Sequence, residues 1–299
     1  MEAHPANLPA PRQHRAGIRL PGLGVGFGGG MVVLYLSIIV LLPLAAVASE
    51  AFTLGLGHFW EQVTSPLAIK SLKLTVVCSL IVVVINGFFG TILAWLLVRD
   101  KFPGKSIVNA VIDLPFALPT IVASLILLTL YGADSPLGID IAFTRTAIVV
   151  ALCFVTLPFV VRAVQPLLLE MDREMEAAAA SLGASNFTIF RRIIFPNLLP
   201  GLGAGVALAF ARALGEFGSV LLFAGGNPDT TVSSVFIRNQ VESGNEIGAA
   251  AVSVVLLAAS LLLLACVSLI QRWAIRHDRS SSEFVPTIAM DVSGDGGGI

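Results

Sequence analysis

Two ionisable residues, Arg212 and Glu216, lie well inside an apolar stretch of the chain, four positions apart. On a helix that spacing puts both on one face, where they can pair. A charge at membrane depth ordinarily faces a cavity or the interior of a helix bundle. The spacing allows two roles: Arg212 lends positive potential to the path of an anion, or the pair is a structural lock that cancels a desolvation cost. Little else could do covalent chemistry. The four histidines, His4, His14, His58 and His277, fall outside the apolar stretches, no His-Glu-x-x-His pattern occurs, and Cys78, Cys153 and Cys266 sit in separate apolar runs without ligand-like spacing. Pro103 to Ser106 resembles the end of a phosphate-binding loop, but the glycine required five residues before Gly104 is Arg99. It reads instead as a tight turn with basic anchors. No cofactor or metal is expected on this chain, and any ATP and Mg would belong to a partner.

The elements that carry these residues are membrane helices. Of 299 residues, 56% are hydrophobic and 12% charged, with mean hydropathy +0.90; soluble domains hold roughly 25% charged residues. The apolar residues collect in runs long enough to cross about 30 Å of hydrocarbon. They predict an all-α, polytopic protein with six spans, near Gly28 to Val47, Leu74 to Val98, Ile107 to Tyr131, Thr146 to Val161, Leu199 to Ala224 and Ala249 to Ile270. The fourth is short and is expected to run past one of its flanking arginines, Arg145 or Arg162, which then snorkels to the headgroups. Thirteen of the 18 basic residues fall on one side of this arrangement and four on the other, which puts both termini in the cytoplasm. Residues 1–27 and 279–299 are expected to be cytoplasmic tails around a six-span domain, 28–278. No internal repeat supports a transporter of fused inverted halves. An ion-gradient-driven anion transporter would need carboxylates in several spans, and only Glu216 qualifies.

The longest cytoplasmic connection, residues 163–197, holds an alanine-rich run from Glu174 to Ala184, then Asn186, Phe187, Ile193 and Pro196. Alanines favour helix and Gly183 interrupts it. A short helix, a glycine turn and a second short helix ending at Pro196 would project as a unit suited to the groove of another protein. This loop resembles that of the permeases of type I ATP-binding-cassette importers, whose signature is Glu-Ala-Ala, three variable residues, Gly, nine variable residues, then Ile-x-Leu-Pro. Gly183, Ile193 and Pro196 match at the right spacing. The family glutamate falls at Ala177, one residue after Glu176, and the family leucine is Phe195. A one-residue shift turns a side chain by about 100° around a helix. The resemblance implies the MetI-like permease fold and a coupling loop, here Glu176, Ala177, Ala178, Gly183, Ala184, Phe187, Ile193 and Pro196, docked on a nucleotide-binding subunit.

Three further stretches, Asp113 to Thr120, Thr156 to Arg162 and Leu214 to Gly218, are similar to the T-type subunit of sulfate and thiosulfate permeases; the molybdate permeases are the related alternative. That likeness implies a W-type permease as heterodimer partner, two copies of the ATPase, a periplasmic or lipid-anchored sulfate-binding protein, contact with membrane lipid and no role for nucleic acid. Independently, Asp113 is expected in the first turns of a helix, where the dipole favours a carboxylate. Pro115 and Pro119 are expected to bend that helix, leaving irregular backbone against protein or a water-filled path.

Overall fold

The computed structural model describes residues 23–225 and 227–282, so the expected tails lie outside it except where the first and last helices run into them. Residues up to Val47 form one compact unit and those from Ala48 a second. In the first, α1 (Leu23–Leu36) passes through a π-helical turn (Ser37–Leu41) into α2 (Leu42–Ala51). The stretch Gly28–Ala51 is long and apolar enough to cross a membrane.

The second unit contains α3 (Gly55–Val63), α4 (Pro66–Arg99), α5 (Lys105–Ala117), α6 (Thr120–Tyr131), α7 (Arg145–Glu170), α8 (Arg173–Ser181), α9 (Asn186–Ile189), α10 (Phe195–Leu214), α11 (Gly218–Leu221), α12 (Ser233–Glu242) and α13 (Glu246–Ser282). Among the described residues, five helical stretches are long and apolar enough to cross a membrane, and α5 with α6 makes a sixth if counted as one broken span. The 34 residues of α4 would extend about 51 Å, more than the hydrocarbon needs, so its ends project.

Helices α4 and α7 form the central pair, and α10 packs against both. Their contact relies on small residues: Gly201 and Gly205 of α10 lie against Ala163 of α7, and Gly90 of α4 lies against Val160. Helices in lipid lack a hydrophobic drive to associate, so close backbone approach supplies the packing. Within this contact Asn86 of α4 donates to the Cys153 carbonyl (3.0 Å) and to Thr156 Oγ1 (2.9 Å) of α7. Pro158 and Pro166 lie inside α7 without interrupting it.

Two apolar clusters occupy the two ends of this unit. One joins Leu97, Ile112, Val161, Val164, Leu168, Ile189 and Ile194 at the end carrying Arg99, Lys105, Arg191 and Arg192, the basic end. The other joins Cys78, Val82, Leu127, Ile148, Ala151, Val220 and Phe223 at the opposite end. Because Ile112 belongs to the first and Leu127 to the second, α5 and α6 cover successive halves of α7. They act as one interrupted crossing rather than a loop returning to its starting side.

The third and fifth crossings differ in detail from expectation. The third bends by 117° between Ala117 and Thr120. Pro115 is accommodated inside α5, and the break falls at Leu118, whose extended backbone is what a following proline favours, with Pro119 as the N-cap residue of α6. Asp113 lies late in α5, not in its first turns, so the dipole argument fails. Its carboxylate is bound instead by Arg162 of α7, Nε to Oδ1 at 2.8 Å and Nη2 to Oδ2 at 2.5 Å. As expected, α7 runs past Arg162, and that guanidinium engages Asp113 of a neighbouring helix. In the fifth crossing, Pro196 does not end a helix. It enters the first turn of α10, and a π-helical turn at Phe190–Ile194 joins α9 to α10, absorbing the donor that proline lacks. The crossing ends at Leu214, ten residues before the apolar run does.

Candidate functional site

The connection from Met171 to Phe195 is built by local signals. Asp172 caps α8, accepting from the Glu174 N–H at 2.8 Å, and Glu174 and Glu176 place negative charge in the first turn. At the other end Gly183 has φ +83°; its N–H reaches the Ala180 carbonyl and that of Ala184 reaches Ala179, the paired bonds of a Schellman stop. Ser185 then caps α9 through the Thr188 N–H. Helix, stop and cap follow within a few residues, which fixes the direction in which α9 leaves.

The inner face of this projection is tied to the last turn of α4. Glu176 pairs with Arg99, the two side chains only 21% and 10% exposed. The Arg99 guanidinium lies 5.2 Å from the Trp95 ring centroid and its Nη2 reaches Met171 Sδ at 3.7 Å. Trp95 in turn meets Phe190 edge-on at 5.8 Å, and Ile189 and Ile194 are buried below. Both arms of the projection therefore rest on one turn of α4. The Arg99 Nε is buried without a hydrogen-bond partner, a desolvation cost that the ion pair with Glu176 and the Trp95 contact offset.

The outer face is bare. Leu182 is 89% exposed and Phe187 71%, with Met175, Ala177 and Ala178 also exposed, Ala184 and Ile193 half-buried and Pro196 exposed. Large apolar side chains held out on a turn make this face a candidate contact surface for protein or membrane. Glu176, expected on that surface, points the other way, into its own chain. Sequence reasoning missed Arg99, Trp95 and Leu182. The exposed leucine beside the turn glycine was a readable signal; the Arg99 contact, spanning 77 positions, was not.

Replacing Arg99 by Met would leave the largely buried Glu176 carboxylate uncompensated, at about 3 kcal/mol. The expected result is a lower thermal midpoint and faster proteolysis between Met171 and Phe195 for Arg99→Met and for Glu176→Ala, with the double variant losing less than the two losses added. Additive losses would show that the pair is not coupled.

The second expected group is only partly assembled. Arg212 ends α10, whereas Glu216 lies beyond it in the irregular segment before α11, so the pair bridges a helix end rather than one helical face. Glu216 is 1% exposed; its Oε1 accepts the Ser219 N–H at 2.9 Å and its Oε2 lies 2.5 Å from Arg212 Nη1. That second contact is an ion pair without the alignment of a hydrogen bond. A Cβ on Gly218 would fall 2.1 Å from Thr120 Oγ1, so the break in the fifth crossing sits directly on the break after Pro119. Pro115 lies within α5 and takes no part in this contact.

The chain belongs to the family of binding-protein-dependent transport system inner membrane components, whose pattern matches residues 86–277. It is thus a multi-pass membrane permease. Among its relatives it is 44% identical over 255 residues to the sulfate transport system permease protein CysT of Synechocystis, covering 83% of this chain and 89% of that one. To the protein of the same description from Escherichia coli it is 39% identical over 260 residues, covering 84% and 93%. The fold matches a chain of a bacterial alginate ABC transporter, solved in complex with an alginate pentasaccharide-bound periplasmic protein, with TM-score 0.71 and 16% identity over 83% of this chain and 93% of that one.

Proposed function

We propose that this chain is the T-type permease subunit of an ATP-driven importer that carries sulfate and thiosulfate into the cytoplasm. The observation that carries the importer reading is the projection between Met171 and Phe195, bare and apolar outside and anchored to α4 inside. Such a part serves to receive force from a docked subunit. Sulfate as cargo is supported by the relatives at 39–45% identity whose names specify sulfate transport. The excess of Lys and Arg at the projection's end supports a cytoplasmic location for that end and for both termini. There two copies of a nucleotide-binding subunit would hold ATP and Mg, while this chain takes no part in hydrolysis. A W-type permease completes the pore and a sulfate-binding protein, periplasmic or lipid-anchored, docks outside. Closure of the ATPase pair would move the projections and open the cavity outward.

Deleting the gene is expected to abolish high-affinity uptake of labelled sulfate, with thiosulfate uptake falling in parallel. Retained sulfate uptake with loss of molybdate or tungstate uptake would overturn the substrate. Sulfate uptake in inside-out vesicles that follows an ion gradient and ignores ATP would overturn the importer class.

A further inference from the structure

Helix α10 is packed by α4, α7 and α13, yet among the described residues one strip of it stays open: Ala204, Leu208, Arg212 and Gly215, spaced three or four apart. Arg212 is the only charge on that strip, its side chain 35% exposed. Behind it Glu216 is fully buried and pinned. The Ser219 N–H donates to its carboxylate and Ser234 Oγ donates to its carbonyl. The carboxylate lies closest to Nη1 of the guanidinium. Nε and Nη2 of Arg212 make no hydrogen bond with any described residue.

From this arrangement we infer that Arg212 is a contact for the transported oxyanion and that Glu216 is a positioning residue that presents it. The Nε and Nη2 donors form a planar fork that matches two oxygens of a carboxylate, sulfate or similar anion. In this same molecule Arg162 uses that edge to hold both oxygens of Asp113. On Arg212 that edge makes no hydrogen bond to a described residue, and the side chain is 35% exposed. The buried carboxylate behind it also cancels the net charge, so a passing anion meets aligned donors without the full pull of a lone cation. An isolated arginine would bind a divalent anion more tightly and slow its release. This inference rests on the proposed reading of the chain as an oxyanion importer.

The test uses the assembled importer, with its second permease, ATPase and binding protein, in proteoliposomes, and reads ATP-driven uptake of labelled sulfate per assembled complex. Arg212→Gln is expected to lose about tenfold or more, the worth of one charge-assisted hydrogen bond, and Arg212→Lys, which keeps the charge but not the fork, to fall between it and the parent. In the double variant Arg212→Leu with Glu216→Leu, the amount of assembled complex should recover relative to either single leucine change, while uptake per complex stays low. Recovery of both quantities would reduce the pair to a structural lock and overturn the inference, as would parental uptake by Arg212→Gln. If Arg212→Gln fails to assemble, the lysine and double variants decide in the same way. A parental complex that moves molybdate but neither sulfate nor thiosulfate would overturn the proposed cargo, and the same variants measured with molybdate would still test Arg212.

Discussion

Gly205→Leu is expected to yield little folded permease, whereas Gly203→Ala, two residues away, is expected to be at least as stable as the parent. A Cβ at Gly205 would lie 2.7 Å from the Ala163 Cβ, 3.1 Å from the Val160 Cα and 3.2 Å from the Phe159 carbonyl. Those atoms belong to the backbone, or to a side chain with nothing to rotate, so α10 and α7 must separate. Separation forfeits packing on the helix pair around which the second unit is built, and overpacking alone costs roughly 1–3 kcal/mol, occasionally more. Gly205→Ala should show a smaller loss than the leucine change. A Cβ at Gly203 meets nothing within 4 Å. Thermal midpoints of purified protein in detergent, with the yield of monodisperse material, check all three. A Gly205→Leu protein as stable as the parent would mean that α7 and α10 do not approach as closely as described.

Gly183→Val has the opposite signature, a permease that folds and inserts but does not work. The space around a Cβ at this position is open, so no clash arises. The strain comes from φ +83°, which a β-branched residue adopts at a cost of about 1–3 kcal/mol. That cost falls on the turn and the last turn of α8, because the N-termini of α8 and α9 keep their own caps at Asp172 and Ser185. Relaxing the turn redirects Leu182 and Phe187, and a partner fitted to their original placement loses its contact. The expected result is parental abundance in the membrane, loss of the co-purifying ATPase and loss of sulfate uptake. An intact, transport-competent complex would show that the turn's direction is not what the partner reads. Gly183→Asn, which tolerates positive φ better, should retain more function than the valine variant.

The spans were legible because length and apolarity are summed over some 20 residues and tolerate local error. The turn at Gly183 was legible because a Schellman stop depends on residues within one or two turns of each other. The end of the fifth crossing was not. Apolarity continues from Leu199 to Ala224, while the backbone changes direction at Gly215, and hydropathy carries no information about direction. Pro196 misled for a related reason: proline removes one bond, and whether the helix stops or widens into a π-turn depends on what holds the flanking residues, here Ile189 and Ile194 in the apolar cluster. The partners of Glu176 and Asp113 were hidden by distance along the chain. Arg99 and Arg162 look from the sequence like ordinary basic anchors at helix ends, and only packing reveals each as the bound mate of one carboxylate.

The two interruptions have a mechanical meaning. Thr120 abuts Gly218, and the Ser124 hydroxyl accepts the N–H groups of both Leu222 and Phe223, so α6 and the chain from Gly218 to Phe223 are fastened to each other. Together with the first turns of α7 they make an upper storey with its own filling. The lower storey, with the projection beneath it, is filled separately. Helices α4 and α7 run as continuous posts through both. Leu118–Pro119 and Gly215–Phe217 are the points where the third and fifth crossings change direction between the storeys, a few residues each. The two short joints lie at a common level like a pair of knees, with Glu216 buried within one of them.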